Sequence, residues 1–379
     1  MIDNKKIINI MPDDKFLDYF IAMSESFIPD LSKYFIYTNN VKLNYIKSKN
    51  KNLNIIKHDN QSLLKILDQL NGDEIIIFHS FSDFHLDFIE RLPKSIKKIW
   101  IFWGYEGYKT VPNSKLIMSE TFKAIYPTSF IYKIKSFFSR IKNFNLLKPT
   151  ISEKIIKNMD YCATWVEADY LLAKKYNPNI KYIPFNYYTD ELMNIFNFKS
   201  NFTLNTHNLN SSQISIFLGN SAAPTNNHIE ALHYLKKINF KGNIYCSLSY
   251  GGSEIYIQNV IKTGKKFFGA NFKPLIDFLP LQTYQSILNS CQIVWMNHKR
   301  QQAAGNLFMA FANKKIVILN PDNPMLNTFK NWGLHYYKKE ILENLNKINK
   351  IKIEKNKTII KQKIKIDYNE FFFKLIQKL

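Results

Sequence analysis

Apolar and polar positions along the chain alternate between two periods. Ile7–Met11 is a continuous apolar run that predicts a strand, ended by Pro12 and the pair Asp13-Asp14. Apolar residues then recur at helical spacing through Phe16, Phe20, Met23 and Phe27. Tyr34–Tyr37 and Asn54–Lys57 predict strands, Leu63–Leu70 an amphipathic helix, and Glu74–Phe78 a strand ending on His79-Ser80. Runs apolar at consecutive positions suit a sheet covered on both faces. A helix to Arg91 leads to the strand Lys98–Phe102 and then to the loop Trp103-Gly104-Tyr105-Glu106-Gly107-Tyr108. Tyr161–Trp165 and Lys181–Pro184, with the helix Glu167–Tyr176 between them, close the first half.

The second half opens on the strand Ile214–Leu218, a loop from Gly219 to His228 and a helix from Ile229, with Thr225 or Asn226 as its N-cap. Strands follow at Asn243–Ser249, ending on Tyr250, and at Lys266–Phe268, with the helix Glu254–Thr263 between them. A helix from Pro280, the strand Gln292–Met296, the polar stretch Asn297–Asn306, the helix Leu307–Ala312 and the strand Lys315–Leu319 complete the pattern. Such alternation predicts the α/β class, with two Rossmann-like, doubly wound domains. Their expected bounds are 1–196 and 214–337, joined by an Asn/Ser/Thr-rich linker at 197–213 and followed by Lys-rich C-terminal helices at 338–379. Residues 109–149 break the alternation. There, Phe130–Phe144 interleaves aromatic and aliphatic residues with Lys and Arg, predicting a helix whose basic face lies on an anionic membrane surface. A surface helix packed on the domain is the plain alternative.

Charge narrows the partners. Lys and Arg number 52 against 30 Asp and Glu, a formal net charge of +22. A protein this basic seeks nucleic acid, acidic phospholipid or phosphorylated ligands. Lysines are spread through the chain and no nucleic-acid module is present, so no nucleic-acid partner is expected. Cys162, Cys246 and Cys291 lie far apart in apolar contexts, as buried free thiols of a reducing compartment do. The N-terminus lacks a signal-peptide core and no run reaches a membrane span, so a cytoplasmic location is expected, peripheral on the inner face of the membrane.

The candidate chemistry centres on Gly219-Asn220-Ser221 and the helix that follows. A strand, a loop of small residues and a helix N-terminus form an anion site, here read as one wall of a nucleotide-diphosphate pocket. The loop lacks dinucleotide-fingerprint spacing and the lysine of a nucleotide-triphosphate loop, so an ordinary strand-to-helix turn is the competing reading.

Leu218-Gly219-Asn220-Ser221, Thr225-Asn226-Asn227-His228, Tyr250, Cys291, Arg300-Gln301-Gln302 and Asn320 to Pro324, with Phe78-His79 and Phe102-Trp103-Gly104 in the first half, resemble the bacterial 4-acetamido-4,6-dideoxygalactosyltransferases of glycosyltransferase family 56. The resemblance covers most of residues 75 to 330. It implies a GT-B-like fold, two Rossmann-like domains facing a central cleft. It also implies an inverting transfer of N-acetylfucosamine from a dTDP-sugar to a polyprenyl-diphosphate-linked saccharide, without metal. Departures are Glu106 where the family carries Asp, Ala303 where it carries Gly, and Asn227 where it carries an acid.

A departing diphosphate must be neutralised by preorganised donors. No Asp-x-Asp is present to clamp a metal, and no cofactor is expected. Arg300 is the candidate cation, with the amides at Gly219 and at Gly305-Asn306. Asn220, Ser221, Asn226 and His228 line the donor loop, Gln301, Gln302 and Asn323 are candidates for ribose or sugar hydroxyls, and Tyr250 for stacking on the base. For the general base, Glu106 is the first candidate, His79 the second and Asp13 the third. Rival functions are a non-enzymatic basic protein that binds nucleic acid or lies peripherally on a membrane, or another sugar-nucleotide enzyme such as an epimerase or a lipopolysaccharide-core transferase.

Overall fold

A computed structural model describes residues 7–14, 16–126, 149–187, 214–364 and 368–377. Along the chain run β1 (Ile7–Pro12), α1 (Leu17–Phe27), β2 (Ser32–Thr38), β3 (Leu53–Lys57), α2 (Asn60–Leu67), β4 (Ile75–His79), α3 (Leu86–Arg91), β5 (Lys97–Ile101) and α4 (Tyr105–Tyr108). After α5 (Asn113–Leu116) and α6 (Ser119–Ile125) come α7 (Ile151–Lys157), β6 (Tyr161–Thr164), α8 (Glu167–Tyr176) and β7 (Lys181–Pro184). Next are β8 (Ser215–Leu218), α9 (His228–Lys237), β9 (Asn243–Ser247), α10 (Glu254–Phe268), β10 (Phe272–Leu275), α11 (Leu281–Ser290) and β11 (Ile293–Met296). Last are α12 (Ala304–Ala312), β12 (Ile316–Leu319), α13 (Met325–Trp332), α14 (Lys350–Ile364) and α15 (Tyr368–Gln377).

The first compact unit holds β1 to β7 in one sheet, ordered β3-β2-β1-β4-β5-β6-β7. Every pairing is parallel. Its apolar strands are buried on both faces, as the consecutive hydrophobic runs demand. The last helix belongs to this unit. Phe371 and Phe372 of α15 are buried in the same core as Phe20 and Phe185, and Phe372 stacks on Phe27 at 5.4 Å. Burying two such rings contributes about 2 kcal/mol each, enough to tie the tail down.

The second unit carries a five-stranded parallel sheet ordered β10-β9-β8-β11-β12. Helices α5 and α6 join this unit, although they precede it in sequence. Glu230 of α9 fastens α6, accepting hydrogen bonds from the Thr121 amide at 2.9 Å and its hydroxyl at 2.5 Å. In each sheet the order reverses once, at β1/β4 and at β8/β11. Open α/β sheets bind ligands outside the carboxyl ends of the strands at such a point.

Three local expectations are corrected. The strand expected at Lys266–Phe268 is the end of α10. A Cβ on Gly264 would meet the ring of Phe272 at 2.5 Å, so the bare helix backbone lies against the next strand. Gly269, at φ +54, ends the helix, and the strand starts only at Phe272. Neither Thr225 nor Asn226 caps α9. Pro224–Asn226 is a 3-10 turn, and Asn227, in the left-handed region at φ 50, precedes the helix. The stretch read as a loop around Glu106 is the short helix α4. The basic segment Phe130–Phe144 and the linker 197–213 lie outside the described residues.

Candidate functional site

In the second unit, the switch point is built from the residues after β8, β9, β11 and β12. Gly219 extends β8, its amide donating to Trp295 O at 3.0 Å. At φ +68, a Cβ there would meet His228 Nε2 at 2.5 Å and Asn226 Oδ1 at 2.9 Å. Glycine is therefore required, but the close neighbour is the loop's own floor rather than a ligand. Asn226 is the knot of that floor. Its Oδ1 accepts from the Asn220 amide at 3.0 Å and from His298 Nε2 at 2.6 Å, while its Nδ2 donates to Ser221 O and Ala223 O, each at 2.9 Å. His228 lies beneath, its Nδ1 bonded to the Tyr256 hydroxyl at 3.0 Å, and burial pushes its pKa down to about 3. Ser221, Asn226 and His228 are thus fully buried in the floor of the loop.

Above this floor runs a polar chain. Asn220 Nδ2 donates to the Tyr250 hydroxyl at 3.3 Å, Gln302 Nε2 to Asn220 Oδ1 at 2.8 Å, Thr225 Oγ1 to Gln302 Oε1 at 2.7 Å and Arg300 Nε to Thr225 Oγ1 at 3.3 Å. Five of the residues expected at the donor share this edge: Asn220, Tyr250, Arg300, Gln302 and, next to it, Gln301. Half of the Tyr250 ring is exposed, as a stacking platform needs. The Arg300 charge is felt at buried His298, whose pKa is held well below the imidazole range, first by burial and then by that guanidinium.

Beyond Gln302 the backbone turns through Ala303 at φ 62 into α12. That left-handed conformation explains why the resembled family carries glycine here. The first-turn amides of α12, including Gly305 and Asn306, have no intrahelical acceptor, and the helix dipole favours an anion in front of them. Asn306 is held by its Nδ2 bond to the Tyr284 hydroxyl at 2.7 Å. Gln301 Oε1 and Asn323 Nδ2, both in side chains at least nine-tenths buried, have no hydrogen-bond partner among the described residues. Each such orphan costs about 1–3 kcal/mol, which a polar ligand recovers.

Sequence reasoning named Thr225, Asn227 and Asn320 only within the family-like motifs and gave them, like Asn297, no place in the site. Asn227 Nδ2 donates to Leu116 O and Asn297 O, while Asn297 Nδ2 returns to Asn227 O and Asn320 Nδ2 donates to Asn297 Oδ1 at 2.9 Å. The available signal was a polar residue closing each of several apolar strands.

In the first unit, the strand-end residues are mostly enclosed. Glu106 is fully buried, and its Oε1 accepts from Trp100 Nε1 at 3.0 Å and from the Trp103 amide at 2.6 Å. His79 is also fully buried, between the Tyr187 hydroxyl on Nδ1 at 2.7 Å and Asn9 Oδ1 on Nε2 at 3.2 Å. The Asn9 carbonyl can only accept, so Nε2 carries the proton and Nδ1 accepts from Tyr187, which itself accepts from Trp103 Nε1 at 3.0 Å. Burial lowers the His79 pKa to about 3. Asp13 accepts three amides, from Asn44, Tyr45 and Ile46, and so shapes the loop after β2. Glu106 and His79, the first two candidates for the base, are thus both enclosed beneath the strand ends.

Among the described residues no helix is long and apolar enough to cross a membrane. All three cysteines are buried and free.

Comparison with known proteins agrees with this architecture. The family described as 4-alpha-L-fucosyltransferase, glycosyl transferase group 56, matches residues 186–375. Similar solved structures include OtsA in its apo form, at 10% identity over 99% of this chain and 100% of that one, TM-score 0.61. An E. coli trehalose-6-phosphate protein bound with UDP-2-fluoro glucose matches at 13% identity over 98% and 99%, TM-score 0.60. A glycosyltransferase from Rickettsia africae ESF-5 matches at 13% over 99% of each chain, TM-score 0.59. At these identities the likeness speaks for the fold, GT-B with two Rossmann-like domains.

Proposed function

The chain belongs to glycosyl transferase group 56 and is a glycosyltransferase, and from that premise we propose an inverting transfer of a deoxy or amino sugar from a dTDP- or UDP-sugar, with no metal in the scheme. The acceptor in this reading is a lipid-linked saccharide or another bacterial surface glycan at the cytoplasmic membrane face. N-acetylfucosamine is the sugar the resemblance favours. The family's own description favours a fucosyl group, and the neighbour carrying UDP-2-fluoro glucose favours uridine as the alternative nucleotide. A net charge of +22 supports an anionic surface as partner.

One observation carries the donor half: the N-terminus of α12, Arg300 and the orphaned polar atoms of Gln301 and Asn323 follow β11 and β12, beside the switch point. Amides and a guanidinium fixed before reaction stabilise the charge that develops on a departing diphosphate. Arg300 takes the diphosphate with the Gly305 and Asn306 amides, Tyr250 stacks on the base, and Gln301, Gln302 and Asn323 meet ribose or sugar hydroxyls.

Thermal melting against nucleotides and nucleotide sugars tests the reading. A ligand present at a hundred times its Kd adds about 2.7 kcal/mol to the folded state. A dTDP or UDP species is expected to raise Tm without added divalent ion, and Arg300→Ala to abolish most of that rise. A panel that leaves Tm unmoved, or moves it only with a divalent cation, refutes it.

A further inference from the structure

Away from the donor edge, the second unit holds a basic cavity at the far end of α13. That helix runs from beside Asn323 to Lys330 in its last turn, a rise of about 12 Å over its length. The chain then turns at Gly333, φ +82, and returns through Leu334 and His335 to Tyr337, which pairs with Ile318 of β12. Between the end of α13, this return and α14 lies a cavity of about 520 Å³, within the range of small-molecule sites.

Its walls are fixed without a ligand. Asn356 of α14, fully buried, accepts from the His335 amide and donates to the His335 carbonyl, each at 2.7 Å. Just before the same helix, the Asn349 amide donates to the Tyr337 hydroxyl at 2.7 Å. At the end of α13, the carbonyls of Lys330 and Phe329 are taken by the amides of Gly333 and Leu334 at 3.0 and 2.9 Å.

Three lysines line the space, Lys330 from α13 and Lys352 and Lys355 from α14. Among the described residues none of the three is paired with a carboxylate. Two of them are placed against the interest of their own helix. Lys352 lies in the first turn of α14, where the helix dipole favours negative charge. Lys355 follows it at i+3, where like charges repel. A local choice at odds with the fold points to a function. His335 lines the same cavity, and its Nε2 has no hydrogen-bond partner among the described residues. Burial and then the Lys352 charge lower its pKa, so the ring is neutral at pH 7 and adds no further charge. Leu334 and Ile359 give the cavity an apolar wall beside the lysines.

Three ammonium groups from two helices match a dianion with several acceptor oxygens, which a phosphoryl group is and a single carboxylate is not. We infer that this cavity binds the phosphoryl group of a phosphate ester through Lys330, Lys352 and Lys355, with Leu334 and Ile359 against the organic part. A soluble ester and a lipid headgroup share that chemistry. The site is separate from the diphosphate position at Arg300, and it stands whether or not the glycosyl-transfer reading does.

The test uses the full chain and two probes. Glycerol 3-phosphate, titrated in a calorimeter, represents the soluble ester. Vesicles of phosphatidylcholine with phosphatidic acid, co-sedimented with the protein, represent the headgroup. Saturable binding of at least one is expected, and the one that binds identifies the source. The triple variant Lys330→Gln, Lys352→Gln, Lys355→Gln is expected to weaken that binding at least about 10-fold. A control, Lys347→Gln, Lys361→Gln, Lys363→Gln, removes the same charge at exposed positions outside the cavity and should change binding by less than about twofold. A smaller loss in the first triple, an equal loss in the control, or no binding of either probe overturns the inference. Arg300→Ala should bind the probes as the parent does; a loss there places the ester at the donor edge and also overturns it. Because it removes like charges, the cavity triple should melt no lower than the parent in the absence of probe. A lower Tm makes the lysines parts of the fold and overturns the inference as well.

Discussion

The two units solve the same topological problem with different chemistry. Both are parallel sheets with one reversal of strand order. At the second unit's reversal stand asparagines, glutamines, a threonine and Arg300, joined side chain to side chain. The first unit's reversal carries tyrosines, tryptophans, a neutral histidine and carboxylates. Amides and a guanidinium hold an anion without exchanging a proton with it. Carboxylates and phenols can exchange protons and hydrogen-bond hydroxyls. Two units of one topology thus end their strands on different side-chain chemistry.

What the units share is sensitivity to acid, and it is the largest effect expected. His79 and His85 in the first unit and His228 in the second are buried with pKa values lowered from 6.5 to about 3. The unfolded chain binds protons at these rings between those values and the folded chain does not, so stability is full above pH 6.5 and falls as pH drops toward 3. At pH 5 the loss is about 2 kcal/mol per ring, or about 6 kcal/mol for three. Urea unfolding at pH 7 and pH 5 measures it, and equal midpoints contradict the buried neutral rings.

Arg300→Ala addresses the second unit alone. Loss of one preorganised donor costs about 100- to 1,000-fold in kcat, and folding should be unaffected. Steady-state kinetics beside a melting curve separates the two. Gly219→Ala should do the reverse and unfold before it inactivates. Left-handed backbone and collision with His228 and Asn226 together cost about 3 kcal/mol, read from the urea midpoint.

For the first unit, Glu106→Ala strands Trp100 Nε1 and the Trp103 amide and should cost about 2 kcal/mol. Glu106→Gln keeps the accepting oxygen and should retain both stability and turnover. Turnover abolished in a folded Glu106→Gln protein would restore Glu106 as the base. The smallest effect is Ala303→Gly, which relieves a left-handed alanine and should raise stability by about 1 kcal/mol, visible as a small upward step in Tm.

Sequence alone determined the elements that depend on neighbours along the chain. Ile75–His79 and Ile316–Leu319 are consecutive apolar runs, and only a doubly covered parallel strand accommodates them, so class and strand order of appearance followed from hydrophobic period. Arg300, Gln302 and Tyr250 were legible too, because polar residues closing such strands must lie at the sheet's carboxyl edge. Tertiary structure decided what depends on distant partners. Whether Glu106 faces a ligand or two tryptophans, whether Asn226 serves a nucleotide or its own loop, and whether Asp13 ties down the loop after β2 are matters of burial and hydrogen-bond competition. Those are settled between residues tens of positions apart. A carboxylate has the same letter in each case, and its neighbours in space alone decide what it holds.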